Sequence, residues 1–237
     1  MNLLISFEGF HLKARGNRWM QLFAIFLRVA LAAGFLPSGM VKILGERFTA
    51  LAVNHPMGFY LEALHYTGDY YTFIGIVQVT AALLLLIPRT ATLGALLYFP
   101  IILNICVLSL AVRFDGSLFT SPLMVLANLY LLCWDYHKLK WALPFYHKRA
   151  NSEIPTWKVQ STSFPLAFFT GVFATVILVV LAVVTGFSIY PRNSLSHCHQ
   201  QCEDNTNPEA CSTFCDCIHT AGTPYTTCLD AYNNAIN

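Results

Sequence analysis

Four long apolar stretches of this 237-residue sequence each carry one strongly polar side chain well away from their ends. These side chains are Arg28, Gln78, Asn104 and Asn128. Guanidinium and amide groups donate hydrogen bonds, so together they could hold a small polar head group and polarise its oxygen atoms. These groups carry no electrons themselves, so redox chemistry here would need a bound cofactor or a partner. The residue types therefore predict a ligand-binding site and assign no catalytic residue.

Each of these side chains also has a structural explanation. Amides in membrane helices often hydrogen-bond between helices, where each contributes about 0.6 to 2 kcal/mol. Arg28 is different, because none of the apolar stretches contains an acidic residue that could pair with it. A buried arginine must then bind carbonyls, amides, water or a ligand. Both roles stay open for the amides, and Arg28 is the strongest functional candidate.

Lys42 and Gly39 extend this candidate site along the first apolar stretch. Arg28 and Lys42 are fourteen residues apart, which places them within about 40° of each other on one helix face. Gly39 lies on the same face and would let a backbone or a ligand approach closely. The predicted ligand-binding residues are Arg28, Gly39, Lys42, Gln78, Asn104 and Asn128.

Six of the eight cysteines lie in the last forty residues. The first four form two pairs with a spacing of four residues, which places each pair on one helix face. The turn-forming stretch EDNTNPEA separates the two pairs, so we predict a helical hairpin with two disulfides, and a third disulfide beyond it. This pairing is one of fifteen that six cysteines allow. The predicted bridges are Cys198–Cys215, Cys202–Cys211 and Cys217–Cys228.

A metal or thiol-exchange site is the alternative use of these cysteines. His197, His199 and His219 lie among them, and zinc binds such ligands. However, the sequence contains no Cys-x-x-Cys, the spacing of zinc knuckles and thioredoxin-type dithiols. Structural disulfides are therefore the prediction, and no metal is assigned. Cys106 and Cys133 stand in apolar stretches, where cysteine serves as a small packing residue.

The elements that must position these residues are membrane helices. Mean hydropathy is +0.54, 56% of the residues are hydrophobic and 11% are charged. Soluble domains have about a quarter charged residues, so this composition excludes a soluble domain, disorder, collagen and coiled coil. A net charge of +2 is too small to indicate nucleic-acid binding. The predicted spans are Met20–Leu44, Tyr71–Pro88, Thr92–Val112, Ser121–Trp134 and Phe164–Phe187.

The fold class that follows is an all-α polytopic membrane protein. Four helices are expected to form a bundle, and a fifth is expected to carry the small disulfide-stapled hairpin. The segments are a cytoplasmic N-terminal segment (1–19), the bundle (20–136), a basic cytoplasmic connection (137–163), the fifth transmembrane helix (164–190) and an extracytoplasmic Cys-rich hairpin (191–237).

The lysines and arginines of the connecting segments predict how the helices are oriented. Nine lie in the N-terminal segment, the second turn and the long fourth connection, and three lie on the opposite side. Such an excess marks the cytoplasmic side. The N-terminus is then cytoplasmic and the tail extracytoplasmic, where disulfides persist. The predicted location is the bacterial cytoplasmic (inner) membrane, with the lipid bilayer as partner.

A short aromatic helix is expected in segment 45–69. This segment contains HPMGFYLEALHY, a composition that suits the outer membrane interface. His55, Glu62 and His65 could close a ligand site from above or serve as interfacial polar groups.

Two stretches of the sequence resemble DoxX-type membrane proteins: FLRVALAAGFLPSGMVKILGERF and NHPMGFYLEALHYTGDYYTFIGIVQVTAALLLLIPRTATLGALL. The resemblance covers about residues 20–136 and rests on apolar helices punctuated by Arg28, Gly39, Lys42 and Arg89. It implies a four-helix bundle and a link to membrane redox complexes, since the family takes its name from a subunit associated with thiosulfate-to-quinone electron transfer. Family members often carry an acidic residue in the second helix near the position of Gln78, where this chain has no charge. The fifth helix and the tail lie outside the resemblance.

Two functional hypotheses follow from the residues and the resemblance. The leading one is an accessory subunit of a quinone-linked membrane redox system, whose polar pocket binds a quinone. The alternative is a non-enzymatic interaction or assembly protein, in which the stapled tail binds a protein partner and the bundle is an anchor. Neither hypothesis decides whether the protein is an enzyme.

Overall fold

A computed structural model describes residues 11, 13–49, 51, 53–112, 114–142, 161–185 and 194–237. The regular secondary structure in these ranges is helical, apart from an isolated β-bridge between Asn17 and Ser161. Residues 11 and 13–15 are also helical. The helices whose two ends are described are α1 (Arg18–Ile43), α2 (Pro56–His65), α3 (Asp69–Leu86), α4 (Ala91–Val112), α5 (Asp115–Leu118), α6 (Thr120–Trp134), α7 (Tyr136–Ala142), α8 (Leu166–Thr185), α9 (Leu195–Cys202), α10 (Pro208–His219) and α11 (Tyr225–Ile236).

Five helical segments of the described chain are long and apolar enough to cross a membrane. They are α1, α3, α4, the run Gly116–Trp134 and α8. The predicted all-α polytopic architecture is therefore confirmed. The fourth span is longer than predicted, because α5 extends α6 toward the N-terminus and gives a run of 19 residues. Most of the N-terminal segment and of the basic connection, and the fifth span after Thr185, lie outside the described residues.

Four of these segments form a closed bundle around one apolar core. α1 packs against α3, α3 against α4, α4 against α6, and α6 back against α1. Successive helices run in opposite directions, as in an up-and-down bundle. We call the end where α6 finishes the Asp135 end, and the opposite end, where α1 finishes, the tail end.

The bundle core combines small residues with one aromatic pair. Ala81 and Ala82 are fully buried, and small side chains of this kind let membrane helices approach closely. Phe35 stacks on Tyr98 with their ring centroids 3.6 Å apart. The Tyr98 hydroxyl donates to the Leu31 carbonyl at 3.0 Å, so the polar tip of this buried ring has a partner.

The fifth helix, α8, lies at the edge of the bundle. Val183 is its one buried residue among those described, so most of its apolar surface is open to lipid. The start of α8 is fixed to the start of α1, because Asn17 Nδ2 donates to the Ser163 carbonyl at 2.8 Å and Trp19 Nε1 donates to the Thr162 carbonyl at 3.1 Å.

The tail folds as a small unit of three helices, α9, α10 and α11. The predicted hairpin corresponds to α9 and α10, and α11 adds a third helix that packs against α10. Phe214, Ile218 and Tyr232 are buried with the cystines. Sulfurs that are paired as disulfides have no thiolate to offer a metal. The three bridges are Cys198–Cys215, Cys202–Cys211 and Cys217–Cys228, which confirms the predicted pairing.

Candidate functional site

A cavity of about 470 Å³ lies toward the tail end of the bundle. Residues of α1, α2, α3, α4 and α5 line it, and most of them are apolar. This volume suits a small ligand, and apolar walls with a few polar groups are typical of such sites. Its polar side chains, apart from two tyrosines, are Ser38, Lys42, Gln78, Asn104, Ser109 and Ser117.

Lys42 is the one charged side chain among the described residues that line the cavity. It is 5% exposed. Its Nζ donates to the Ser38 carbonyl and to Ser38 Oγ, each at 2.9 Å, and lies 4.4 Å from the centroid of the Phe48 ring. None of the ion pairs in the described part of the chain involves Lys42. The cavity therefore holds a buried ammonium group whose contacts in the described chain are with uncharged groups.

Gln78 and Asn104 contribute amides at different depths of this cavity. Gln78 is 1% exposed, and its Oε1 accepts a long hydrogen bond of 3.5 Å from Ser38 Oγ. Asn104 is exposed, as are Tyr60 and Tyr70, which also line the cavity. These three exposed residues mark where the cavity opens to the surface of the protein.

A pair of glycines brings the polar residues of α1 and α3 together. A Cβ atom on Gly39 would lie 2.9 Å from the Gly75 carbonyl oxygen, and a Cβ on Gly75 would lie 2.7 Å from the Gly39 oxygen. Because the two helices are antiparallel, Lys42 lies beside Gly75 and Gln78 lies beside Gly39. A Cβ on Gly75 would be 2.8 Å from Lys42 Cβ, and a Cβ on Gly39 would be 3.2 Å from Gln78 Cβ. Gly39 is not part of the cavity lining, so it contributes to the site through helix packing.

A second polar cluster lies at the Asp135 end. The Asp135 side chain is 3% exposed, and three cations approach it. Arg15 Nη2 lies 2.5 Å from Oδ1, while Lys138 Nζ and Arg28 Nη2 lie 3.4 and 3.7 Å from Oδ2. Thr92, in the first turn of α4, donates to Oδ2 at 2.7 Å. One carboxylate thus joins the ends of α1, α4 and α6.

The surroundings of this cluster favour a charged Asp135 and a neutral His137. Burial raises the pKa of Asp135, but the Thr92 hydrogen bond and the neighbouring cations outweigh burial, so the pKa lies below its ordinary value. Burial, helped by the Arg15 guanidinium, lowers the pKa of His137 to about 4. The neutral His137 ring can accept the hydrogen bond that Arg15 Nη1 donates at 3.1 Å.

The structure separates the residues that the sequence grouped into one site. Lys42, Gln78 and Asn104 line the cavity, whereas Arg28 lies at the Asp135 end, about 21 Å from Lys42 along the helix. The expectation that Arg28 has no acidic neighbour was wrong. Asp135 follows directly after the fourth span, and helical side chains lean toward the helix N-terminus, which brings Arg28 back to it.

Asn128 also lies outside the cavity. It is fully buried, and its Nδ2 donates to the Ala95 carbonyl at 3.0 Å. Its Oδ1 accepts no hydrogen bond from the described residues. Asn128 therefore links α6 to α4, the structural role that was open for each amide.

The predicted aromatic helix is present as α2, and it closes the cavity at the tail end. Met57 and Leu61 are among the apolar side chains that it contributes. His55, Glu62 and His65 are not in the lining; His55 instead caps the start of α2.

Sequence reasoning missed Asp135 and its partners Arg15 and Thr92. A signal for Asp135 was present, because it directly follows Trp134 at the predicted cytoplasmic end of a span. No comparable signal marked Thr92, whose role depends on how α4 packs beside α6.

Comparison with known proteins gives one informative relative. The chain is 35% identical over 117 residues to a Bacillus subtilis (strain 168) protein described as "Uncharacterized protein YwoB". The match covers 47% of this chain and 75% of the relative. No family model and no solved structure matches the chain.

Proposed function

We propose, for a chain that belongs to the family of the Bacillus subtilis protein YwoB, that the cavity at the tail end binds the head group of a quinone. In this proposal the protein is a DoxX-like accessory subunit of a membrane redox system. The bundle holds the quinone and a partner supplies the electrons, because lysine and amide side chains carry none.

The observation that carries the proposal is the environment of Lys42. Its ammonium is buried in a mostly apolar cavity, and no carboxylate of the described chain pairs with it. Burying a charge is costly unless strong acceptors surround it. A quinone carbonyl oxygen would add an acceptor for Lys42, and the amides of Gln78 and Asn104 are donors for the same head group.

The apolar walls of the cavity support a ligand that comes from the membrane. The cavity opens to the surface beside the exposed residues Asn104, Tyr60 and Tyr70, and the remaining walls are mainly apolar. A quinone has a small polar ring and an apolar tail, so its ring fits the cavity while its tail stays in lipid.

Quinone binding can be measured on the purified protein in detergent. Calorimetric titration of the protein with a short-chain quinone should show saturable binding. Lys42→Met removes a charged hydrogen-bond donor, worth about 1.5 to 3 kcal/mol, so we expect at least about tenfold weaker binding. Arg89→Met, which removes an exposed cation from the turn at the opposite end, should bind like the wild type. Equal affinity in both variants, or no quinone in lipid extracted from the purified protein, would contradict the proposal.

The proposed location is the bacterial inner membrane, with the Asp135 end in the cytoplasm. Two features support this orientation. Arg15 and Lys138 lie at the Asp135 end, in keeping with the excess of basic residues on the cytoplasmic side. The tail at the other end carries three disulfides, which persist in an oxidising compartment.

Assembly through the tail is the second candidate function, because the tail has its own core and one sign of charge. Residues 194–237 contain five acidic residues and no lysine or arginine, so a partner would present a basic surface. Native electrophoresis of detergent-extracted membranes separates the two hypotheses. Assembly predicts a large complex that is lost when residues 194–237 are removed and is kept in Lys42→Met.

A further inference from the structure

In the described part of the chain, Arg28 and Lys138 share one anionic partner, the carboxylate of Asp135. Arg15, Arg28 and Lys138 all approach the single carboxylate of Asp135. The side chains of Arg15 and Arg28 are 7% and 15% exposed, so water screens them little. Excess buried charge of one sign is costly unless a counter-ion is present.

The carboxylate of Asp135 is already occupied by other donors. Its Oδ1 accepts from Arg15 at 2.5 Å, and its Oδ2 accepts from Thr92 at 2.7 Å and from Lys138 at 3.4 Å. Arg28 Nη2 lies 3.7 Å from Oδ2, which is too far for a hydrogen bond. Arg28 is thus attracted to Asp135 without being hydrogen-bonded to it.

The guanidinium of Arg28 is the group most in need of another partner. It has five N–H donors, and the ion pair with Asp135 is its one polar contact with the described residues. The phenolic hydroxyl of Tyr130, a second buried group, also has no hydrogen-bond partner in the described chain. Tyr130 stacks on Trp134, and Trp134 lies beneath the Arg15 guanidinium, so this hydroxyl belongs to the same region.

The N-terminus of α4 adds to the positive potential. Thr92 lies in the first turn of this 22-residue helix, and its hydroxyl is 3.2 Å from Lys138 Nζ. The first turn of a helix carries a partial positive charge and attracts oxyanions. Guanidinium groups bind phosphate oxygens in a bidentate manner.

We propose that Arg28 and Lys138 bind a phosphate group at the Asp135 end of the bundle. The phosphate belongs either to the head group of an anionic membrane lipid or to free inorganic phosphate. This inference is independent of the quinone proposal, because the cavity of Lys42 lies at the other end of the bundle.

Thermal denaturation of the whole protein in a non-ionic detergent tests the proposal and separates the two sources. Phosphatidylglycerol, phosphatidylcholine and inorganic phosphate are added in turn, with sodium chloride matching the ionic strength. If the source is a lipid, phosphatidylglycerol alone raises the denaturation temperature in a saturable manner. If the source is free phosphate, inorganic phosphate does so.

Matched variants show whether the effect arises in this cluster. Arg28→Gln removes a charged donor, so its apparent affinity for the stabilising phosphate should fall by about tenfold to a hundredfold. Arg28→Lys keeps the charge without the bidentate geometry, so its apparent affinity should lie between those of the wild type and Arg28→Gln. Arg89→Gln removes an exposed cation at the same end and should behave like the wild type.

Lys138→Gln tests the same cluster if Arg28→Gln does not fold. The Lys138 side chain is 36% exposed, so the protein should tolerate its loss. This variant too should weaken the phosphate effect. The proposal is overturned if neither phosphate compound stabilises the wild type beyond phosphatidylcholine and chloride. It is also overturned if Arg89→Gln weakens the effect as much as the cluster variants do.

Discussion

Asp135 is the residue on which the charges at its end of the bundle depend. Replacing it by asparagine leaves the buried guanidiniums of Arg15 and Arg28 without their carboxylate. Removing one member of a buried ion pair costs about 3 to 5 kcal/mol, so we expect Asp135→Asn to lower the free energy of unfolding by that amount. Denaturant unfolding in detergent, followed by circular dichroism, measures it.

The matched control for that substitution is Asp216→Asn in the tail. Asp216 pairs with His199 at 3.2 Å, and its side chain is 54% exposed. Exposed ion pairs contribute about 0 to 1 kcal/mol, so this variant should stay close to the wild type. Equal losses in the two variants would mean that burial at Asp135 is unimportant.

His137 should make the stability of the same end depend on pH. Its pKa falls from 6.5 to about 4 on folding, so between these values the unfolded chain binds a proton that the folded chain does not. The contribution of neutral His137 is then complete above pH 6.5 and decreases as the pH falls toward 4. We expect the denaturation temperature to fall between pH 7 and pH 5, and to fall less in His137→Gln. His197→Gln, in the exposed part of the tail, should keep the wild-type slope, and a wild-type slope in His137→Gln would refute the assignment.

At the scale of helices, the contact between Gly39 and Gly75 determines how α1 and α3 pack. A methyl group on Gly39 would lie 2.8 Å from Val79 Cγ2 and 2.9 Å from the Gly75 oxygen, so the helices must separate. Overpacking of this kind costs about 1 to 3 kcal/mol, and we expect Gly39→Ala to lower both stability and quinone affinity. Gly171→Ala in α8 has nothing within 4 Å and serves as the control. Unchanged stability in Gly39→Ala would show that the contact can relax.

The helices were predictable from the sequence because the bilayer imposes their length and excludes charge. Runs without acidic residues located all five spans to within a few residues, apart from the start of the fourth. That start was missed because Gly116, Ser117 and Thr120 make residues 116–120 only weakly apolar, although α5 continues the span from Gly116. The disulfide pairing in the tail could also be predicted from the sequence, since a spacing of four residues places two cysteines on one helix face.

At the scale of the whole molecule, the sequence did not reveal which polar residues share a site. Arg28 and Lys42 lie on one face of α1, but that face runs from one end of the bundle to the other. A long side chain also moves its charge away from its own backbone position, so Arg28 pairs with Asp135. Gln78 instead contacts Ser38, beside Lys42. Which side chains lie at the same level of the bundle depends on how helices from distant parts of the sequence are aligned.

The orientation of the whole molecule can be tested through its thiols. Six cysteines are bridged in the tail, and Cys106 and Cys133 are free. In a Cys106→Ser, Cys133→Ser variant every thiol therefore belongs to the tail. If the tail is extracytoplasmic, a membrane-impermeant maleimide should label intact spheroplasts only after an impermeant reductant has been added, and should then label six thiols per chain. Labelling that requires permeabilised membranes would reverse the orientation, and labelling before reduction would mean that the bridges do not form in the cell.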